Sequence, residues 1–480
     1  MNLIVFPWIV LSVLLLSAPL SPAEPLNLPN LGDGASSIVS LREEQATGQA
    51  WLRAFRRQAP IQHDPLVTLY LDELVQRLLL HSEVAEKQFS LVVVDSKSFN
   101  AFAVPGNIIG LNMGLFTYAE TEDELAGVIA HELAHLSQRH YARSVDRQKA
   151  QNLATLAAML GSLVIMAKSG GDAGMAAMSA TQAAAIQSQL TYSRTQEQEA
   201  DRVGMETLNR AQMNPQAIAD MFEHMVAVTR YRKDLKQFDF LLTHPLSEDR
   251  VADALNQARE LPLRSNSDNL AFHLAKAYAT FLTQKNPQQA ADYFRNQRRS
   301  AKFPEASDYG LAISLLSAGK IDEAAPIIHS LYSAAPYQSA YILARLDLLA
   351  RQKKNSEADQ LITHHLELSP LHFAVSMKAA EYYLATNRPQ RAVNLLRPLA
   401  AAKAGKPEVW YLLAESEGLA GNIPEVHLAR TEYFLLYGDF TQAKRHLTLA
   451  QTLLKENTVA TARIEARLKE VEEMEKEQKF

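Results

Sequence analysis

The chain has 480 residues, a formal net charge of −5 and no cysteine. Its length predicts two or more domains, and its weakly acidic balance gives none of the basic footprint expected of a nucleic-acid-binding protein. The absence of cysteine excludes disulfides, thiolate nucleophiles and cysteine-based zinc sites. Any metal site must therefore be built from histidine and carboxylate ligands.

The N-terminal segment is similar to a secretory signal peptide. An apolar run at residues 3–16 is followed by the small-x-small sequence Ser21-Pro22-Ala23, which predicts cleavage after Ala23 and export, with a Gram-negative periplasm as the leading compartment. Because no Lys or Arg precedes the apolar run, an uncleaved membrane anchor is the alternative. Residues 24–40 are rich in Pro, Gly, Asn and Ser and predict an extended arm.

Residues 41–261 are predicted to form one α+β domain. The second of its two predicted strands, at residues 108–112, has two possible environments. Either it exposes an edge that pairs with an extended peptide, or it is fully paired inside a sheet, and the sequence leaves both open. The predicted elements that open the domain are helices over 41–59 and 65–80 and strands over 88–94 and 108–112.

The next segment carries a metal-binding pattern on a predicted helix. Thr121 and Glu124 have capping-box spacing, and apolar residues follow at helical period. His131 and His135 are four residues apart, so both imidazoles face one side of the helix and can reach a single metal ion. Glu132 is placed to act on the attacking water as the general base. The alternative is an amphipathic helix with two histidines and no metal.

Two stretches beyond this helix are weakly patterned. Residues 153–167 are largely apolar, but the run is shorter than the roughly 18 residues of a membrane span. Residues 168–181 are rich in Gly, Ala, Ser and Met. Together they predict a buried helical hairpin, with a mobile lid beside the site and a segment in peripheral contact with a membrane as the alternatives.

A second acidic helix offers the third metal ligand. Glu197 and Asp201 lie four residues apart and share a helix face, whereas Glu199 points elsewhere. A catalytic zinc site takes three protein ligands and leaves one position open, so a glutamate here completes the set. Asp201, one turn further on, can orient a histidine ligand through a hydrogen bond. Spacing alone leaves Glu199 as an alternative ligand and a solvated acidic face as the alternative role.

The order of these motifs resembles the Ste24-like zinc metallopeptidases, a group that includes the HtpX-like heat-shock proteases. The resemblance rests on the histidine motif, on Glu197-x-x-x-Asp201 downstream and on Asn-Ala-Phe-Ala-Val-Pro-Gly at 100–106, and it covers about residues 65–254. It implies a zincin-type domain with a small β-sheet, one zinc ion per chain and Glu197 as the third ligand. Because no adequate membrane span follows the signal peptide, the chain is similar to a soluble, exported branch of the group.

Further residues are candidates for the same site. His244 precedes a proline, which biases it into a loop that can fold over the metal as a fourth ligand or plug; shaping a substrate cleft is the alternative. Arg250 matches the arginine that follows the His-Pro pair in the family, which implies a structural or transition-state role. Arg194 and Tyr192 are weaker candidates for stabilising the oxyanion. Two histidines are expected to lie away from this site: His140 and His224.

The C-terminal part is predicted to be a helical repeat. After a break at 262–270, small residues recur 34 residues apart in a helix-turn-helix pattern, which is the signature of tetratricopeptide repeats. Residues 271–480 are therefore predicted to form an α-solenoid. Such an array presents a concave face to protein partners, with a purely structural role as the alternative. The repeated small residues are Ala290, Ala324, Ala358 and Ala392.

These elements together predict a mainly α-helical, exported zinc metalloendopeptidase. His131, His135 and Glu197 hold zinc, Glu132 is the base and Asp201 orients a ligand. The combination of signal peptide, peptidase domain and repeats resembles the periplasmic β-barrel assembly-enhancing protease family. That resemblance implies degradation of misfolded or stalled polypeptides, docking on the outer-membrane barrel-assembly machinery and a chaperone-like role. The alternative is a repeat-based adaptor or chaperone whose metal site is largely latent.

Overall fold

The computed structural model describes residues 40–147, 192–231, 239–262, 264 and 269–478. The predicted signal peptide, the arm up to residue 39 and the weakly patterned stretches at 153–167 and 168–181 lie outside the described residues. No helix in the described ranges is long and apolar enough to cross a membrane.

The N-terminal half consists of helices around a small sheet, as predicted. Its first two helices begin at side-chain caps that satisfy free backbone N–H groups: Ser40 forms a capping box with Glu43, and Asp64 accepts hydrogen bonds from two backbone amides. Its described elements are α1 (Leu41–Gln58), α2 (Pro65–His81), β1 (Ser90–Val94), β2 (Ala101–Val104), β3 (Ile108–Asn112), α3 (Gly114–Tyr118), α4 (Glu122–Ser137), α5 (His140–Arg147), α6 (Arg194–Arg210), α7 (Ala217–Tyr231), α8 (Phe240–Thr243) and α9 (Glu248–Glu260).

The sheet has the strand order β1-β3-β2, with β1 parallel and β2 antiparallel to β3. The predicted strand at 108–112 is therefore paired on both sides, so full pairing is confirmed and the exposed-edge alternative is wrong for it. The sequence pattern did not predict β2, which is one of the two edge strands and packs against α4. The Phe102 ring of β2 covers Gly110 of β3, where any side chain would collide with the ring.

Close packing of α4 against α6 brings the two predicted ligand segments together. Gly204 of α6 lies at the crossing, where an added Cβ would sit 3.2 Å from the backbone nitrogen of His131. Gly127 of α4 gives Ile218 of α7 a similarly close approach, at 3.1 Å. Glycine at these crossings lets the backbones meet at short distance, which fixes the position of α4 in the core.

The C-terminal half is a regular succession of paired helices, as the repeat predicts. The four alanines that define the period lie in the second helix of each pair and are fully buried, because a small residue there lets the helices approach. The described helices are α10 (Leu270–Thr283), α11 (Pro287–Gln297), α12 (Pro304–Ser317), α13 (Ile321–Ala334), α14 (Ser339–Arg351), α15 (Asn355–Leu368), α16 (Phe373–Ala385), α17 (Pro389–Ala402), α18 (Pro407–Leu419), α19 (Ile423–Leu436), α20 (Phe440–Leu453) and α21 (Thr458–Gln478).

The turns inside the repeats carry the same 34-residue period in their backbone. From the second repeat onwards, four successive turns each have one residue in the left-handed region: Gly319 at φ 77°, Lys353 at 57°, Asn387 at 56° and Gly421 at 82°. This conformation ends the first helix and redirects the chain into the second, and it suits Gly and Asn better than Lys. Gly438 follows at φ 67° after half a period, where the regular spacing is broken.

The two halves contact each other at both ends of the repeat array. Helix α10 contributes Phe272 and Ala275 to the hydrophobic core of the N-terminal half. At the far end, Arg56 of α1 donates to the carbonyl oxygens of Gly405 and Leu436 at 3.0 and 3.3 Å. The repeat array is therefore held against the N-terminal half rather than suspended from a linker. The boundary at 262–270 stays a prediction.

Candidate metal centre

Helix α4 holds its two histidines rigidly. Thr121 caps the helix by accepting from the Glu124 amide at 3.2 Å, as the capping pattern predicts, while the Glu124 carboxylate reaches back to the amide of Glu120 at 2.7 Å. Residues 122–135 of this helix are buried. His131 and His135 project from one face on consecutive turns, so they have little freedom to move apart.

Four side chains converge at this face. The Nε2 atoms of His131 and His135 lie 3.0 Å apart, and Nδ1 of His244 lies 3.3 Å from Nε2 of His131. A carboxylate oxygen of Glu197 lies 3.5 Å from Nε2 of His135 and 3.1 Å from Nδ1 of His244. One ligand atom from each of the four lies within 4.8 Å of every other.

The donor set fits a metal ion of the zinc type. Three imidazole nitrogens and one carboxylate are ligands that Zn²⁺ accepts in tetrahedral sites. All four groups are at least 97% buried, and burial is the main cause that lowers the pKa of His135 well below its usual value, which keeps its lone pair free. Oxygen Oε1 of Glu132 is also buried beside them with no hydrogen-bond partner in the described structure. A cation would satisfy this concentration of acceptors.

Arg250 ties the predicted third ligand to the predicted orienting residue. Its guanidinium donates to both oxygens of Asp201 at 2.7 and 2.8 Å and contacts Glu197 at 2.6 Å. Asp201 in turn lies 2.9 Å from Nδ1 of His131. Burial disfavours the charge on Asp201, but the Arg250 guanidinium outweighs it and lowers the pKa to about 2. The Arg250 guanidinium is therefore engaged by two buried carboxylates, those of Asp201 and Glu197.

His140 was expected away from this cluster, and that expectation is wrong. Its Nδ1 lies 2.8 Å from Nδ1 of His135, and its Nε2 lies 3.0 Å from Glu199. Burial outweighs the Glu199 carboxylate and lowers the pKa of His140 to about 4, so the ring is neutral. Glu199 pairs with His140 and Arg143 and lies outside the four-residue cluster, so it is not brought to the metal position. His224 lies elsewhere, 3.8 Å from Glu120, as expected.

Glu132 lies between the cluster and the sheet. The backbone N–H of Ala103 in β2 donates to its carboxylate, and Nε2 of His244 lies 3.4 Å from Oε1. Burial raises the pKa of Glu132 to about 7, and the neighbouring His131 only partly offsets this rise. A carboxylate with a pKa near neutrality can both take up and release a proton under ordinary conditions.

The two weaker candidates separate in the structure. The Tyr192 ring stacks on His135 with centroids 4.0 Å apart and is also near His244. Burial raises its pKa, which keeps the hydroxyl protonated and able to donate. Arg194 is exposed at the first residue of α6, whereas the four groups that converge here are buried.

Comparison with known proteins identifies the family of the domain that holds this cluster. The model of peptidase family M48 matches residues 65–258, close to the range that the sequence motifs predict. The chain is 31% identical to the β-barrel assembly-enhancing protease of Yersinia pestis over 96% of both chains. It is 31% identical to the Escherichia coli K12 protein of the same name over 93% of this chain and 92% of that one.

The chain belongs to peptidase family M48. It is also 28% identical to the mitochondrial metalloendopeptidase OMA1 of Schizosaccharomyces pombe, but over only 41% of this chain and 53% of that one. The predicted metalloendopeptidase activity is confirmed by this membership, and the resemblance to β-barrel assembly-enhancing proteases extends through the repeats.

Proposed function

We propose that this M48 peptidase is a zinc metalloendopeptidase of the periplasm. It cleaves misfolded or stalled polypeptides during assembly of outer-membrane β-barrel proteins and has a chaperone-like role beside proteolysis. The observation that carries the proposal is the convergence of His131, His135 and Glu197 from two helices onto one buried point. The full-length similarity to β-barrel assembly-enhancing proteases supports the cellular role.

In this proposal the three groups are the zinc ligands, and two further residues hold them. His131, His135 and Glu197 would hold the ion, and catalytic zinc sites with three protein ligands keep a further position for water or substrate. Asp201 orients His131 through Nδ1, and Arg250 balances the charge of Asp201 and Glu197. Bound zinc supplies a Lewis acid that activates water and polarises the scissile carbonyl.

Glu132 moves the proton. Its carboxylate accepts a proton from the attacking water and gives it to the amine that leaves, so the same group acts as base and then as acid. The raised pKa, about 7, suits both steps. The Ala103 N–H holds one end of the carboxylate in position throughout. Tyr192, whose hydroxyl is protonated and whose ring stacks on His135, is the better placed of the two candidates for stabilising the oxyanion.

Strand β2 supports an extended substrate. In an antiparallel pair alternate residues turn their backbone groups away from the partner strand. The Asn112 amide donates to the Asn100 carbonyl, so by alternation the backbone groups of Ala101 and Ala103 point away from β3. The Ala103 N–H is already bonded to Glu132, so at this residue the carbonyl is the group that points towards the edge. An extended polypeptide that pairs with this edge is read mainly by its backbone, which suits clients recognised by their unfolded state.

The repeat array selects the clients in this proposal. Its 34-residue helix pairs are tetratricopeptide repeats, whose concave face binds protein partners. Its docking partner is the outer-membrane barrel-assembly machinery, and its address is the periplasm, reached through the predicted signal peptide. Any membrane contact is peripheral.

A latent adaptor is the second candidate, and His244 is the observation that favours it. This histidine lies within ligand distance of the other three groups and faces Glu132, so it fills the position that water or substrate needs. In this alternative the repeats and the fold act as a chaperone or adaptor, and hydrolysis is rare.

Two variants test the proposal and separate it from the alternative. Glu132→Gln should lose about 10²–10⁴-fold in the rate of cleaving a model unfolded protein while it keeps its zinc. If this variant complements every defect of a deletion strain in outer-membrane assembly, proteolysis is dispensable and the adaptor is the correct function. Glu197→Ala should lose stoichiometric zinc, measured by mass spectrometry against the wild type. Retained zinc would refute the choice of third ligand.

A further inference from the structure

The two proposed histidine ligands are supported in different ways on the side that faces away from the metal position. Nδ1 of His131 meets a carboxylate directly, Asp201, which Arg250 clamps. Nδ1 of His135 meets another imidazole, that of His140, at 2.8 Å. A carboxylate and an arginine follow behind this second ring, because Glu199 contacts His140 at 3.0 Å and Arg143 contacts Glu199 at 2.9 Å.

Only one proton arrangement satisfies this chain of contacts. When Nε2 of His135 gives its lone pair to a metal, its ring proton must sit on Nδ1. His140 must then accept that proton's hydrogen bond at its own Nδ1 and carry its proton on Nε2. That Nε2–H points at the Glu199 carboxylate, which is an acceptor only. Every donor in the series therefore faces an acceptor, and each step fixes the tautomer of the next.

The backbone of His140 is anchored so that the ring stays in this position. Its carbonyl oxygen accepts from Nε2 of Gln196 at 2.9 Å and from the Ser144 hydroxyl at 2.8 Å. The side chain itself is fully buried. A buried histidine needs partners at both nitrogens. Here one partner is His135, a proposed metal ligand, and the other is Glu199, which pairs with Arg143.

We propose that His140, backed by Glu199, is a positioning residue that fixes the tautomer and the orientation of His135 for metal binding. The inference rests on the proposed zinc site. It gives the site two parallel supports, each built as arginine, carboxylate and imidazole, with one extra histidine inserted on the His135 side. Partners of this kind hold ligands in place, and their loss typically lowers metal affinity by about 10–100-fold.

The test compares zinc affinity in the full-length protein with the stability of its metal-free form. His140→Leu removes the acceptor and keeps an apolar side chain in the space, so zinc affinity, measured by competition with a chromophoric chelator, should fall by about 10–100-fold. His140→Asn can place its Oδ1 near the former Nδ1 and should recover most of that loss. Glu199→Ala should weaken zinc binding in the same direction, near the lower limit of this range, and it disturbs packing less. His224→Leu, in the same domain but away from the cluster, is the matched control and should bind zinc as the wild type does.

The outcomes separate this inference from the proposed function. A wild type that binds no zinc would overturn the zinc site and the positioning role with it. A wild type that binds zinc, with equal affinity in His140→Leu, would overturn the positioning role alone. If His140→Asn and His140→Leu lose affinity equally, and the thermal midpoints of the metal-free proteins fall in parallel, His140 acts only through packing. A loss in His140→Leu that Asn restores and that Glu199→Ala shares supports the relay.

Discussion

The metal cluster and the repeat array bury opposite kinds of residue. The cluster packs charged and polar groups at less than 5% exposure, and each is held by a specific partner on another element, as Arg250 holds Asp201. The array buries small apolar residues such as Ala392 at its helix crossings and carries exposed ion pairs, such as Arg295 with Asp292, at its surface. The chemistry of the cluster therefore depends on a few specific contacts between charged side chains. The shape of the array depends instead on a small side-chain volume that recurs at each helix crossing.

Breaking one pairing in the cluster should have the largest effect. Arg250→Met removes the guanidinium from two buried carboxylates, Asp201 and Glu197, and leaves their charges without compensation. Loss of one partner from a buried ionic pair destabilises proteins by about 3–5 kcal/mol. Urea unfolding of the metal-free protein measures the change.

The control for that variant is Arg295→Met in the array. Arg295 is 40% exposed and pairs with Asp292, which is 57% exposed, so its loss should change the free energy of unfolding by at most about 1 kcal/mol. Similar effects of the two substitutions would show that burial does not distinguish the two regions.

Removing the metal should loosen one region and spare the other. A ligand that binds only the folded state stabilises it by about 2.7 kcal/mol when present at 100 times its dissociation constant. Chelation should therefore abolish proteolysis and speed amide hydrogen exchange in α4 and α6, which carry His131 and Glu197, with little change in α16 of the array.

Re-addition of zinc should restore the slow exchange in α4 and α6. Equal acceleration in α16 would mean that the two halves open as one unit, which the contacts of Arg56 with Gly405 and Leu436 would then explain. In that case the distinction between the regions would hold for chemistry but not for stability.

A larger side chain at a helix crossing should destabilise the array through its volume alone. Ala392 of α17 is fully buried, so Ala392→Leu forces neighbouring side chains apart and should cost about 1–3 kcal/mol. Ala401→Leu in the same helix adds the same atoms at an exposed position and should cost much less. Thermal unfolding of both variants gives the comparison, and equal midpoints would show that the period does not mark tight crossings.

Local patterns predicted most of what both regions contain. The alanine period predicted the helix pairs. The four-residue spacing predicted which side chains share a helix face: His131 with His135, and Glu197 with Asp201. Strand β2 was not predicted, because a four-residue segment before a proline has almost no sequence pattern of its own. Its pairing with β3 makes it a strand.

The position of His140 beside His135 was not predicted, for a geometric reason. Five residues along one helix rotate a side chain by about 140°, so a continuous helix would turn His140 away from His135. Helix α4 instead ends at Ser137, and Arg139 takes a left-handed conformation at φ 48°. The chain turns there, and α5 begins with His140 directed back at the ligand. A change of direction at a non-glycine residue leaves little trace in sequence.

The smallest effect should come from His244, whose loss should raise activity rather than lower it. If this loop residue occupies the open position in nine molecules of ten, only a tenth of the enzyme is competent at any moment, and its removal raises the apparent rate by up to about tenfold. That limit corresponds to about 1.4 kcal/mol. The rate constant kcat/KM of His244→Ala on an unfolded model protein measures it.

The sign of this effect separates two roles that the geometry brings together. As a plug, His244 competes with substrate for the space beside Glu132, which it faces at 3.4 Å, so removing it frees the site and leaves the three-ligand set intact. As an indispensable fourth ligand, it would be needed to hold the metal, so the same substitution would lower both zinc content and rate. His224→Ala, a histidine outside the cluster, should leave kcat/KM unchanged. An unchanged rate in His244→Ala with full zinc would refute the plug role. Any control of access to the site would then have to lie outside this loop.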